Sequence, residues 1–468
     1  MTICNPNQAS GRTQWRKAAF ALGFAGAMLA IAAPALAQTQ QRPNNAIFAL
    51  RDTETEELLR SYEIPLARAA GMDVNAVRVF VMGDLSINAF ATQPQDIFIF
   101  AGMLLDVKTP NELIGVMAHE TGHLSGGHLT RSIDAMDKAS VPMLLSMVVG
   151  LAVMMAGGGP LGTAIMGMGQ SIAQYQFNAF SRIQESAADQ IGFKLLTATR
   201  QSPMGMYNTF VRFAQEQARS AYKIQPFAVS HPVGQERVSA LQDLVDNSSY
   251  REVPDPPQSV YALQMIQAKL GGFILPPDET LKRYPLSNTS SAARYARTMA
   301  YMKKPDLQRA LAEINSLIAE EPNNPYFHEV LGQIHVMMAR PALGIPAYQK
   351  AVSLKPQAPQ LRSALAVAQL AMDDPKLAAA ALGNLKVALL TEEEDPFAWY
   401  QVAKAYHLMQ NPAMADLATA ESNYNSGNLP QAFIFASRAR SKLPQGSTDW
   451  QRANDIIGAA HGAMPQQR

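Results

Sequence analysis

The chain has 468 residues, enough for two or three domains and a large core. An apolar fraction of 48% with 16% charged residues excludes wholesale disorder, a collagen-like repeat and a coiled-coil rod. A formal net charge of +1 leaves no general field for nucleic acid or an acidic substrate, so function has to reside in a site.

Residues 1–37 read as a secretory leader. Arg12, Arg16 and Lys17 supply the basic start, Ala18 to Ile31 the apolar stretch, and Ala35-Leu36-Ala37 a small-x-small cleavage site. Pro34 and the Ala-Leu-Ala end argue against an uncleaved anchor helix. Cys4, the single cysteine, falls inside the leader and lacks the apolar residues that precede a lipidated cysteine. A chain beginning at Gln38 is then cysteine-free, which suits an oxidising compartment such as the bacterial periplasm and excludes a thiol enzyme or a Cys-type zinc finger.

Residues 38–250 mix strand and helix signals. Ile87-Asn88-Ala89-Phe90-Ala91 and Ile97-Phe98-Ile99-Phe100-Ala101-Gly102 predict two strands. Thr109, Pro110 and Glu112 then predict a helix start, with an N-cap threonine, a first-position proline and a capping-box glutamate, followed by a buried stripe of Leu113, Ile114, Val116 and Met117. That helix carries His119-Glu120-Thr121-Gly122-His123. Residues four apart share a helix face, so both imidazoles can turn to one metal with Glu120 beside it.

A catalytic zinc keeps three protein ligands and one open position. His128 is one candidate for the third, but it lies one residue short of the extended H-E-x-x-H-x-x-G-x-x-H spacing, and on a continuing helix it would face away from His119. It is assigned to structure or helix termination. Glu185 is the other candidate, sharing a helix face with Asp189, which would support an imidazole from behind. Alone, Glu-x-x-x-Asp is an ordinary solvated helix face; here the combination counts.

No charged residue occurs between Lys138 and Arg182. Val141 to Ala156 and Leu161 to Ala173 are apolar arms broken by Gly157-Gly158-Gly159-Pro160, each shorter than the ~20 residues of a spanning helix. A buried or interface-lying hairpin over 139–173 is therefore favoured over two transmembrane helices. Residues 251–290 are proline-rich and read as a linker or docking segment with a short helix around Tyr261–Leu270. From 291 to 468 the pattern is helical and repeats. Pro322 and Pro356, and Pro325 and Pro359, are each 34 residues apart, and Pro396 follows after 37. That period is the tetratricopeptide signature. Ala432, Ala436 and Ala439 predict close helix approach in a last unit.

The His119–His123 motif, the Ser181-Arg182 to Asp189 segment and Ser230-His231-Pro232 with Arg237 resemble the gluzincin metallopeptidases of the CAAX prenyl protease and HtpX type over about residues 75–240. The two strands before the zinc helix are similar to that family's. The leader and the C-terminal repeats bring the resemblance close to its periplasmic branch, which serves outer-membrane quality control. The resemblance implies an α+β zincin-like metalloprotease domain followed by an all-α tetratricopeptide-repeat solenoid. It also implies one Zn2+ per chain on His119, His123 and Glu185, with Glu120 as general base. His231 or Arg237 is the candidate donor to the oxyanion. His231 is alternatively a fourth zinc ligand in a resting state, and Asn88, Ala89 and Ile97 to Phe100 are expected to bind substrate as an added strand. The expected protein is a periplasmic zinc endopeptidase acting on misfolded or stalled envelope proteins, with an envelope protein partner on the repeats and peripheral membrane contact through 141–173. A chaperone scaffold and an integral membrane protease are the alternatives.

Overall fold

Short runs rich in valine, isoleucine and phenylalanine build a small mixed sheet. In the computed structural model its strands are β1 (Thr2–Cys4), β2 (Ala49–Arg51), β3 (Arg78–Met82), β4 (Ala89–Thr92) and β5 (Asp96–Phe100), in the order β1-β2-β3-β5-β4. β5 runs parallel to β3, with Val79 opposite Ile97 and Val81 opposite Ile99, while β4 returns antiparallel to β5 with Phe90 opposite Phe98. Phe80, Phe98 and Phe90 stack across three strands with ring centroids 5.1 and 5.0 Å apart. Ile97 and Ile99 are fully buried on the opposite face.

The expected strand pair is thus present, but the peptide-binding edge assigned to Ile97, Phe98, Ile99 and Phe100 is corrected. Both edges of β5 are already paired, one with β3 and one with β4. Four apolar residues in a row, without polar alternation, are the pattern of a strand covered on both faces. Among the described residues the edge strands of the sheet are β1 and β4, and β4 carries Ala89.

The structure describes residues 2–4, 49–92, 94–128, 182–219, 227 and 231–463, in two compact units, one within residues 49–372 and the other within 373–468. The rest of the leader and the apolar stretch 139–173 lie outside the described residues. In the first unit, α1 (Thr53–Ala69) is capped by Asp52, which accepts from Thr55 N at 3.0 Å, and buries Leu59, Tyr62 and Leu66. α2 (Ala101–Asp106) leads to α3 (Pro110–Ser125), which starts as expected. Thr109 Oγ1 accepts from Glu112 N at 3.2 Å, and Glu112 reaches back to Lys108 N at 2.9 Å.

Every residue of α3 from Pro110 to His123 is buried, making it the central helix of this part of the first unit. α4 (182–198), α5 (Met204–Arg219) and α6 (Gln235–Asp246) follow. α4 meets α3 at Gly122, where a Cβ would lie only 2.7 Å from the Ala188 carbonyl oxygen. Glycine at that position lets the two helices close. The helix expected around Tyr261–Leu270 is α7 (Pro257–Ile274), whose Gln267 Nε2 donates to Leu104 O and Val107 O at 2.9 and 2.8 Å; α8 (Pro277–Arg283) follows.

Hairpins then succeed one another: α9 (Ser291–Lys303), α10 (Leu307–Glu320), α11 (Pro325–Met337), α12 (Pro341–Leu354) and α13 (Pro359–Leu370). Ser291, Pro325 and Pro359, 34 residues apart, open the first helix of each. Tyr295, Met299, Ile314, Leu317, Phe327 and Val330 form their shared core. The second unit holds α14 (Pro375–Leu389), α15 (Pro396–Leu408), α16 (Pro412–Asn425), α17 (Leu429–Lys442) and α18 (Thr448–Ala463). There Ala432, Ala436 and Ala439 are fully buried against Leu417, Ala420, Ala453 and Ile456, the close approach the alanine spacing predicts. Among the described residues no helix is long and apolar enough to cross a membrane.

Candidate metal centre

The helical spacing of four puts His119 and His123 on one face of α3, with Nε2 atoms 3.1 Å apart. α4 supplies Glu185, whose Oε2 lies 3.4 Å from His119 Nε2 and whose Oε1 lies 3.3 Å from His123 Nε2. His231, just before α6, brings Nδ1 to 3.3 Å from His119 Nε2 and 3.1 Å from Glu185 Oε2. One ligand atom from each of the four residues lies within 4.8 Å of the others, and all four side chains are buried.

This set is what a metal ion would hold together. Ligand atoms ~2.0–2.2 Å from a tetrahedral ion stand ~3.3–3.6 Å from one another. The separations here, 3.1 to 3.4 Å, are close to that edge. Three imidazoles and a carboxylate also form a suitable nitrogen and oxygen donor set. Both carboxylate oxygens of Glu120 and Nε2 of His231 are buried without a hydrogen-bond partner among the described residues, the orphaned groups of a centre awaiting its reactants.

A second layer of side chains fixes these four residues. Asp189 Oδ1 lies 3.0 Å from His119 Nδ1, as the Glu185-x-x-x-Asp189 spacing predicts. Arg237 holds Asp189 through two bonds of 2.7 Å, and its Nη1 lies 2.8 Å from Pro232 O and 3.0 Å from Glu185 Oε2. The oxyanion-donor role considered for Arg237 is therefore corrected: its guanidinium is spent on two carboxylates and a carbonyl, and it braces the centre instead. Burial opposes charge on His119, yet Asp189 and Glu185 outweigh it and push the imidazole up to about 9. Burial likewise works against an ionised Glu185, but the hydrogen bonds from His119, His123 and His231 hold its carboxyl well below the usual range. Burial lowers His123 and keeps its ring neutral, the form in which an imidazole offers a lone pair.

Phe227 and Phe210 wall the centre, with ring centroids 4.6 Å from His231 and 5.3 Å from His119. The chain at Phe227 ties the wall to the sheet, Phe227 N donating to Ile87 O at 3.2 Å, one residue before Asn88. Two further residues were not assigned to the centre from the sequence. His128 brings Nδ1 to 3.1 Å from His123 Nδ1, and Glu63 Oε1 on α1 lies 2.9 Å from the hydroxyl of Thr121, next to Glu120. Gly126-Gly127 after the motif was the available signal for the first. For the second, it was an acid on the Leu59, Tyr62, Leu66 stripe.

Residues 52–245 match the model of peptidase family M48. The metalloprotease LoiP of Escherichia coli is 30% identical over 186 residues, which cover 38% of this chain and 67% of that protein. The chain belongs to peptidase family M48. It is a metallopeptidase, and its family match spans strands β3 to β5, the helices from α1 into α6 and all four ligand candidates. A beta-barrel assembly-enhancing protease of Yersinia pestis is 24% identical over 412 residues, covering 85% of this chain and 82% of that one. The likeness to it therefore runs through the catalytic part and into the helical hairpins.

Proposed function

We propose that this M48 chain is an exported zinc endopeptidase of gluzincin type that hydrolyses misfolded or stalled envelope proteins in the periplasm. Its domains would be a leader 1–37, a protease domain 38–250, a docking segment 251–290 and tetratricopeptide-like repeats 291–468. The observation that carries the reading is the convergence of ligand atoms from His119, His123, Glu185 and His231 to within 4.8 Å of one another, with both Glu120 carboxylate oxygens buried and without a hydrogen-bond partner among the described residues. A zinc ion held there supplies Lewis-acid polarisation of the scissile carbonyl and lowers the pKa of water.

The chain's own residues do the rest. Glu120 takes the proton of the attacking water on its carboxylate and returns it to the leaving amine. The wall of Phe210 and Phe227 excludes bulk water, which strengthens every charge interaction inside. Asp189 and Arg237 hold His119 and Glu185 in place. The open edge of β4 at Ala89, beside Asn88, takes the role first given to β5 and receives a substrate strand main chain to main chain, with little side-chain preference.

His231 has two roles available: with Nδ1 at 3.1 to 3.3 Å from Glu185 and His119 it acts as a fourth ligand in the resting state, and with Nε2, 3.5 Å from Glu120 Oε1, it acts as a donor to the oxyanion. The short Nδ1 separations favour the resting-state latch, released when a protein partner engages the repeats. The name of the Yersinia pestis relative, and the length over which it aligns, support a role in outer-membrane protein assembly. An intact Glu120 favours a working protease over a pure scaffold. Peripheral membrane contact through 141–173 belongs to the same proposal.

The test is metal content and hydrolysis of an unfolded protein by the purified chain. One zinc per chain is expected, with chelation abolishing activity. Glu120→Gln should keep the metal and lose hydrolysis by 100-fold or more, since the carboxylate moves protons and ligates nothing. His231→Ala should raise basal proteolysis or cause self-cleavage. A His231→Ala enzyme that binds zinc but is inactive would reject the latch and leave the donor role, and full zinc occupancy in His119→Ala would reject the centre itself.

A further inference from the structure

We infer that His128 is a positioning residue for the centre, fixing the ring of His123 by accepting a hydrogen bond from His123 Nδ1–H on its own Nδ1. The inference rests on the metal reading above. His123 Nε2 is turned inward, 3.1 Å from His119 Nε2 and 3.3 Å from Glu185 Oε1, so its lone pair faces the ion. A neutral imidazole carries one N–H, so the proton of His123 sits on Nδ1. The atom 3.1 Å from that nitrogen is His128 Nδ1, which must therefore be an acceptor, and His128 is the Nε2–H tautomer. The ring planes are crossed at 84°, and with 5.1 Å between centroids and 3.1 Å between the two Nδ1 atoms the nitrogens meet edge to edge, so that the N–H of one can point at the in-plane lone pair of the other.

The backbone explains how His128 gets there. α3 ends at Ser125, Gly126 caps it, and Gly127 takes φ +64°, a left-handed conformation natural to glycine that turns the chain back on the helix. His128 is then buried, and its carbonyl oxygen accepts from Gln184 Nε2 at 2.8 Å, the side chain immediately before Glu185. One residue thus joins the end of the His119–His123 helix to the helix that carries the carboxylate ligand. The two imidazole ligands have unlike outer partners: His119 faces the carboxylate of Asp189, His123 a neutral ring. A neutral acceptor orients its ligand without adding negative charge to a centre that already holds Glu120, Glu185 and Asp189.

The experiment measures zinc affinity of the full chain by competition with a chromophoric chelator, for wild type, His128→Leu, His128→Asn and His123→Ala. An asparagine oxygen stands near the position of a histidine Nδ1 and accepts the same bond. Loss of an outer partner of this kind weakens metal binding by about 10–100-fold, so His128→Leu should fall by that factor and His128→Asn should recover most of it. In the zinc-loaded wild-type protein, histidine 15N shifts should report His128 as the Nε2–H tautomer, a readout independent of how any variant folds. Wild-type affinity in His128→Leu, no recovery in His128→Asn, or an Nδ1–H His128 would each overturn the assignment. Wild-type affinity in His123→Ala would instead overturn the ligand set on which it rests.

Discussion

Thr121 Oγ1 lies 2.9 Å from Glu63 Oε1 and 2.7 Å from the Met117 carbonyl oxygen, and one hydroxyl proton cannot serve both acceptors. The count closes if Glu63 is a neutral acid that donates to Thr121 while Thr121 donates to the carbonyl. Burial pushes Glu63 up to about 8; the Thr121 bond opposes this and the neighbouring Glu120 adds to it. With its folded pKa above its unfolded value, Glu63 keeps a proton that the unfolded chain releases, so its contribution to stability falls as pH rises from about 4.5 to 8, by roughly 1.4 kcal/mol per pH unit. Glu63→Gln keeps a donor and removes the titration. In denaturant unfolding, its stability relative to wild type should therefore climb between pH 5 and pH 8 and then level off; a flat difference would mean that Glu63 is ionised throughout. At this scale the pairing of His119 and His123 on α3 is legible because four residues on a helix is a local rule. Glu185 and Asp189 become legible only beside that motif. His128, assigned to structure or helix termination, does follow the end of α3 at Ser125, but the turn at Gly127 that carries it back beside His123 obeys no helical spacing rule.

Among elements, the helical hairpins are the most legible, because proline opens six of their helices at the first position, Pro325, Pro341, Pro359, Pro375, Pro396 and Pro412. The inner position of β5 is less so, since strand order depends on partners that the local sequence does not name. The turns within hairpins follow one pattern. Ala339 and Gln410 take φ of 55° and 56°, and after α11 Ala339 N donates to Val336 O and Arg340 N to His335 O, both at 2.9 Å. After α15, Gln410 N and Asn411 N make the same pair of bonds, at 3.0 and 2.9 Å. This is the left-handed helix cap, for which glycine is the usual residue, and only after α16 is it glycine, Gly427 with φ 77°. A side chain in that conformation costs about 1–2 kcal/mol, partly offset by the greater freedom glycine has when unfolded. Ala339→Gly and Gln410→Gly should each stabilise the protein by about 0.5–1 kcal/mol, and Gly427→Ala should destabilise it. Thermal and denaturant unfolding of the three variants checks this, and a loss of stability in either glycine variant would contradict the assigned strain.

At the scale of the molecule, the first hairpins are fastened to the catalytic part by charge as well as by apolar packing. Lys269 on α7 is fully buried, with Nζ 2.5 Å from Asp52 Oδ1, 3.3 Å from Glu54 Oε2 and 3.6 Å from Glu329 Oε2 on α11. Tyr295 on α9 donates to Glu54 at 2.9 Å, Tyr326 on α11 donates to Glu57 at 2.7 Å, and Gln360 on α13 donates to Glu56 at 2.8 Å. The first turn of α1 is thus the socket for three successive hairpins, and the same helix, through Glu63, touches α3 beside Glu120. Burial would strip the charge from Lys269, but Asp52 above all, with Glu329 and Glu54, keeps its ammonium protonated. Burial also pushes Glu54 up to about 7, the Lys269 charge opposing, so Asp52 is the principal counter-ion at neutral pH. Removing one member of a buried pair strands the other, at about 3–5 kcal/mol, whereas a half-exposed pair is worth about 1 kcal/mol or less. Lys269→Met should therefore destabilise the first unit by several kcal/mol, and Lys355→Met, which removes the half-exposed partner of Glu57, should barely change it. Asp52→Asn added to Lys269→Met should return part of the loss, because the carboxylate nearest to the missing ammonium is then replaced by a neutral amide. Denaturant unfolding gives the three values. Zinc affinity measured on the same samples should stay within a few-fold of wild type, because Lys269 touches none of the four ligands, and equal stability losses for Lys269→Met and Lys355→Met would show that the buried cluster is not what fastens the hairpins.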